Sequence, residues 1–197
     1  MLIKNKEMGS NKENAAIEVA VNILKTGNES FVENVSADRV LQTQVKKSSL
    51  GQTPFAAVLS CIDSRVPVET IFDIGIGDIF SFRAAGNFVD QKIEENNNIL
   101  GSLEFAKMSG VQLILVLGHT GCGAVQAAIA GDPTECKQTN IMVGRLQNNI
   151  STTDENEAIR ENVKNTIKHI RKLSDCLRDF EILGGVYNIS TGEVEFI

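Results

Sequence analysis

The chain has 197 residues, 42% hydrophobic and 22% charged, which suffices for one sizeable core and does not call for a second. A formal net charge of −6 gives no basic footprint for nucleic acid or an anionic membrane, so the expected partner is a small or uncharged molecule. The opening MLIKNKEMGSNKENAA holds no apolar run fit for a signal-peptide core, and no later segment approaches the ~20 apolar residues of a membrane helix; a cytoplasmic location is expected.

From Asn14 to Lys25, residues Ala16, Ile17, Ala20, Ile23 and Leu24 share one helical face, and Gly27 reads as a stop. A second helix is predicted around Glu29 to Val40, then a polar, glycine-marked stretch through Gln52. Phe55 to Cys61 reads as a buried strand ending on a cysteine. After the turn Gly75-Ile-Gly77-Asp78 a strand is predicted over Ile79 to Ala84, a helix over Ile99 to Met108, and a doubly buried central strand over Gln112 to Gly118. A small-residue helix runs beyond Gly121 to Ala130, Gly131-Asp-Pro133 breaks it, and another follows around Thr139 to Gln147. Thr152-Thr-Asp-Glu155 has capping-box spacing ahead of a long helix striped by Ile159, Val163, Ile167, Ile170 and Leu173. Two short strands, Ile182 to Tyr187 and Val194 to Ile197, join through Ser190-Thr-Gly192.

This alternation predicts an α/β fold, with a mostly parallel central β-sheet, helices on both faces and a single domain over 1–197. Ligands of such folds collect beyond the carboxyl ends of strands, where Cys61 and His119 both fall.

The four cysteines, at 61, 122, 136 and 176, point to metal binding, catalysis or burial rather than disulfides. Only His119 and His169 are available as imidazoles, so a zinc site made of three histidines of one chain is excluded and a tight one must recruit thiolate. His119-Thr-Gly-Cys122 is a short ligand pair after a buried strand. Adding Cys61 gives two soft thiolates and one imidazole, a set that suits zinc and leaves a fourth tetrahedral position open. If the strand continues past Cys61, a period of two carries Asp63 to the same side, with Arg65 as its bidentate partner. Cys136 and Cys176 read as structural or incidental thiols and His169 as a solvated helix residue, leaving proton transfer to water and external buffer.

Cys61-Ile-Asp63-Ser-Arg65 and His119-Thr-Gly-Cys122, 58 positions apart with Arg83-Ala-Ala-Gly-Asn87 between them, resemble the motifs of the beta-class carbonic anhydrases. The resemblance extends from about Gly27 to Phe196. It implies that Cys61, His119 and Cys122 ligate one zinc ion per chain, with Asp63 and Arg65 as a catalytic dyad, for interconversion of carbon dioxide and bicarbonate. In similar enzymes the aspartate can instead swing onto zinc, so Asp63 is also a ligand candidate of a closed state. By position, Gln52 resembles a substrate-binding glutamine and Phe80 and Phe105 resemble pocket aromatics, with phenylalanine at 105 where the family often has tyrosine. Gly121 and Gly123 are expected to give backbone space and amides near the substrate.

The resemblance further implies a homodimer or homotetramer, with N-terminal helices at about 12–40 packed on a neighbouring subunit and a pocket shared between subunits. Alternatives are a hydrolase of carbon disulfide or carbonyl sulfide on the same metal motif, and a structural zinc protein whose site Asp63 closes. A thiol redox protein would want Cys-x-x-Cys, which is absent.

Overall fold

The computed structural model describes residues 2–90 and 98–197, with side chains from residue 13 onward; Met1 and 91–97 of the expected domain lie outside the described residues. In chain order the helices and strands are α1 (Leu2–Val32), α2 (Leu41–Ser48), β1 (Ala56–Ser60), α3 (Val68–Ile71), β2 (Ile79–Arg83), α4 (Asn98–Met108), β3 (Leu113–His119), α5 (Gly123–Ala130), α6 (Lys137–Gln147), α7 (Glu155–Leu173), β4 (Ile182–Tyr187) and β5 (Val194–Phe196). A single 3₁₀ turn covers Ala85–Asn87.

The described strands form one sheet in the order β2-β1-β3-β4-β5. It is parallel except for β5, which runs antiparallel to β4 with Gly185 opposite Phe196. Every residue of β1 and β3 is buried, as their unbroken apolar runs require of strands covered on both faces. On one face Ala57, Leu59, Ile114 and Val116 pack against Leu100 and Leu103 of α4 and Val163 and Ile170 of α7. On the other, Val58, Leu113, Leu115 and Leu117 pack against Ala20 and Leu24 of α1 and Ile71 of α3.

The predicted N-terminal boundaries need correction. Gly27 does not end a helix: α1 runs through it, because a Cβ there would lie 1.9 Å from the Phe72 carbonyl oxygen and only glycine permits that approach. The stop is Asn34, in the left-handed region at φ 57°, where Val35 N–H bonds to Ser30 O at 2.9 Å in a Schellman-type cap. The predicted helix over 29–40 is therefore the last turn of α1 followed by irregular chain, and the polar stretch before Gln52 holds α2 instead. Ile23 faces outward at 38% exposure, leaving the buried stripe of α1 to Ala20, Leu24 and Asn28. The cap of α7 is Asp154, whose carboxylate accepts from Glu157 N–H at 2.9 Å; Thr152, two residues earlier, only accepts from Asp154 N–H.

The connection from β1 goes first to β2 on one side and then, through α4, to β3 on the other. The winding reverses between β1 and β3, which opens a crevice at their carboxyl ends, where ligands of open α/β sheets bind.

Candidate metal centre

Three side chains from the two lips of that crevice converge. Cys61 follows β1 directly, His119 is the last residue of β3, and Cys122 is the N-cap of α5. Gly121 adopts φ 65°, a turn glycine takes at little cost, and this folds Cys122 back towards Cys61. Cys61 and Cys122 are buried at 4% and 1% exposure and His119 at 0%, and one ligand atom from each lies within 4.8 Å of the others.

The two sulfurs are 4.0 Å apart and both are free thiols. The Cys61 thiol drops to about 4, chiefly because Cys122 donates to it, with His119 and the Gly86 N–H adding to the effect and burial opposing it. Cys122 moves the other way, its proton held by Cys61 and its charged form disfavoured by burial. The pair thus keeps one proton in common, as two buried thiolates side by side require a cation.

His119 supplies the complement. Its Nδ1 sits 3.0 Å from Thr120 O, and a carbonyl only accepts, so the ring proton belongs on Nδ1. Nε2 then carries a lone pair and, among the described residues, has no hydrogen-bond partner although it is fully buried. An orphaned buried acceptor facing two thiols is costly by itself and is what a metal ligand requires. Two thiolates on a tetrahedral zinc at about 2.3 Å stand about 3.8 Å apart, close to the separation here, so the donor set fits zinc.

Asp63 and Arg65 lie beside this cluster in the loop that follows β1. The strand has already ended at Ser60, so the period-of-two argument does not place Asp63; an Asx turn does, with Arg65 N–H donating to Asp63 Oδ1 at 2.9 Å. The guanidinium closes the pair, Nε to Oδ1 at 2.9 Å and Nη2 to Oδ2 at 2.7 Å. This bidentate grip holds the Asp63 carboxyl well below the usual carboxylate range. Oδ2 faces His119 Nε2 at 3.9 Å, and Arg65 also donates to Gly121 O at 3.0 Å.

The loop is held by Arg83 of β2, whose side chain donates to the carbonyls of Cys61 and Asp63. Sequence reading found Arg83 within a familiar run but gave it no role; its partners lie about twenty positions upstream, beyond any local pattern. Gly86 N–H donates to Cys61 Sγ at 3.4 Å.

The remaining candidates separate. Gly121 is part of the centre through Arg65, while Gly123 opens α5 with nothing within 4 Å of where a Cβ would stand. Gln52 lines a shallow cleft with Gln44, Lys47 and Asp78, with none of the three ligand candidates in its wall. Phe80 is half-buried on the edge strand β2 beside Phe82, ring centroids 6.4 Å apart. Phe105 is 61% exposed on α4. Cys136 and Cys176 are both exposed.

A crevice at a winding reversal, holding two thiols and one imidazole with an Asp–Arg pair beside them, has the donor set of a catalytic zinc centre in an α/β sheet. The family model described as carbonic anhydrase matches residues 56–194. Carbonic anhydrase 2 of Mycobacterium tuberculosis is 34% identical over 190 residues, covering 86% of this chain and 87% of that protein. Among solved structures, the Coccomyxa beta-carbonic anhydrase superposes with a TM-score of 0.69 at 23% identity, covering 79% of this chain and 77% of the other. A tetrameric beta-carbonic anhydrase of Sordaria macrospora gives a TM-score of 0.66 at 21% identity over 100% of this chain and 98% of the other. The chain belongs to the beta carbonic anhydrase family, zinc-dependent enzymes of reversible carbon dioxide hydration.

Proposed function

We propose that Cys61, His119 and Cys122 hold the zinc ion with which this chain converts carbon dioxide and water to bicarbonate and a proton, and that Asp63 and Arg65 orient the reactants. The observation that carries the assignment is the buried, unpartnered Nε2 of His119 beside two thiols 4.0 Å apart. Bound there, zinc supplies Lewis acidity that brings the ionisation of water into the neutral range.

The protein's own contribution is positional. Thr120 O fixes the His119 tautomer, and the Gly86 N–H favours thiolate at Cys61. Asp63, ionised at any working pH, can only accept hydrogen bonds, so it selects the orientation of a hydroxylic reactant beside it. Arg65 keeps that carboxylate fixed and tied to the second loop. Arg65 engages both Asp63 oxygens, an arrangement that favours an open catalytic centre over one closed by Asp63.

In this reading a second subunit completes the substrate pocket: the cleft at Gln52 has none of the three ligand candidates in its wall, and Phe105 is 61% exposed on α4. Exposed apolar side chains at Val19 and Ile23 on α1, at Val40 and Leu41, and at Leu50, together with the open edge of β2, support a homodimer or homotetramer. They equally support packing of the 12–40 segment on that neighbour. No helix of the described residues is long and apolar enough to cross a membrane. Four free cysteines accord with work in the cytoplasm.

The test is stopped-flow proton release on adding carbon dioxide, with zinc content measured on the same sample and Cys61→Ser alongside. Rapid hydration in a protein with about one zinc per chain, lost with the metal in Cys61→Ser, is the expected result. Full activity in Cys61→Ser overturns the ligand assignment. Light scattering of the same sample tests the oligomer, and a monomer that hydrates at full rate would refute the shared pocket.

A further inference from the structure

Asn162 lies in the middle of α7, fully buried among residues that otherwise present Ile159, Val163 and Ile170 to the sheet. A buried amide in a helix interior is unfavourable unless its polar atoms are matched. Both are. Its Nδ2 donates to Gly86 O at 2.7 Å, and its Oδ1 accepts from Asn149 Nδ2 at 3.0 Å.

The reach depends on glycine. Val163, the next residue, sits in a notch between neighbouring strands, where a Cβ on Gly118 or Gly184 would lie 2.8 or 2.9 Å from its methyl groups. This close seat brings α7 down onto the 3₁₀ turn at Ala85–Asn87. There the peptide linking Gly86 and Asn87 is gripped at both ends, its carbonyl by Asn162 and its N–H by Ala84 O at 2.8 Å. The preceding peptide's N–H, on Gly86, is the one aimed at Cys61 Sγ. Gly86 stands at φ 68°, with Leu146 closing the space a side chain would need, so the turn has one conformation in which this donor faces the sulfur.

We propose that Asn162 is a positioning residue for the metal centre, fixing the turn at Gly86 so that its N–H addresses the Cys61 sulfur and sets how strongly that sulfur bonds the metal. The proposal rests on Cys61 being a zinc ligand. Hydrogen bonds to a ligating sulfur tune its donation to the metal, and outer partners of this kind typically govern metal affinity by 10–100-fold.

The experiment compares wild type, Asn162→Ala, Asn162→Ser and Asn165→Ala, each loaded with cobalt(II) in place of zinc. Asn165 is the control: on the same helix it donates to Asn149 O, with no bond to Gly86. The readouts are the thiolate-to-cobalt charge-transfer absorption, zinc affinity by chelator competition, and the melting curve. Both Asn162 variants are expected to shift the charge-transfer band and weaken zinc about tenfold or more, while Asn165→Ala matches wild type. If Asn162→Ala does not fold, the smaller loss in Asn162→Ser carries the comparison. Folded Asn162 variants with a wild-type band and affinity overturn the proposal, as does an equal shift in Asn165→Ala. A wild-type protein that binds cobalt without a thiolate band overturns the Cys61 reading itself, an outcome distinct from an unchanged band in the variants.

Discussion

Arg65 joins the two lips of the metal crevice: one nitrogen, Nη2, donates both to Asp63 Oδ2 at 2.7 Å and to Gly121 O at 3.0 Å. The carboxylate is therefore fixed relative to the loop bearing Cys122 as well as to its own. Asp63→Ala is expected to retain zinc, since the three ligand candidates are untouched, and to lose roughly 10²-fold in turnover. Arg65→Lys keeps the charge but not the planar fork, so it should fall between wild type and Asp63→Ala. Stopped-flow rates with zinc content on the same samples decide, and an Asp63→Ala enzyme of full activity would rule out the dyad.

Gly27 yields a stability prediction. A Cβ at 1.9 Å from the Phe72 carbonyl oxygen cannot be relieved by a side-chain movement, because the obstacle is backbone. Gly27→Ala, which in an exposed helix would stabilise, should here destabilise by about 1–3 kcal/mol through displacement of α1. Chemical denaturation of the two proteins measures it. A gain in stability would mean that α1 does not pack at that distance.

The contrast at Gly27 shows where the sequence was legible. Continuous apolar runs located β1 and β3, and the thiol and imidazole motifs at their ends located the metal centre, because both signals are local. Glycine is ambiguous: at 27 it permits a close approach within a helix, while the true stop is Asn34. Helix α2 escaped notice because none of its residues is buried, which leaves hydrophobic periodicity nothing to report. Arg83 and Asn162 act through partners 22 and 76 positions away, and such pairings leave no spacing to read. Asn28 is similar, bonding to Ile71 O, Gly192 O and Val194 N–H to fasten α1 to α3 and to the start of β5.

Asp73 gives the fold an acid-sensitive tie. Arg39 binds its carboxylate and its carbonyl, Ala37 N–H donates to Oδ2 at 3.0 Å, and the guanidinium holds the carboxyl below its usual value. A carboxyl depressed in the folded state adds stability above its unfolded pKa, about 3.9, and loses it as pH falls through the folded value. Asp73 also stands at φ 46°, which asparagine tolerates. Asp73→Asn should therefore cost about 1.5 kcal/mol near neutrality, with the difference from wild type closing below pH ~4. Denaturant titrations across that range test it, and a difference that persists undiminished at low pH would show that charge is not the cause.

Regenerating the catalyst requires a proton to leave the crevice, and the chain has only one histidine besides His119. His169 is half-buried rather than solvated, its Nδ1 enclosed without a partner among the described residues, and burial lowers its proton affinity, with Lys172 and Lys168 adding to this. It also stands seven residues beyond Asn162, about 10 Å further along α7, while Ile159 at the other end packs with Cys61 and Cys122. The imidazole is thus misplaced to serve as a relay, and the proton is expected to pass to water and external buffer. Turnover should rise with buffer concentration to a plateau, identically in wild type and His169→Ala. A rate independent of buffer in wild type, or a plateau lowered in His169→Ala, would show that the protein carries its own relay.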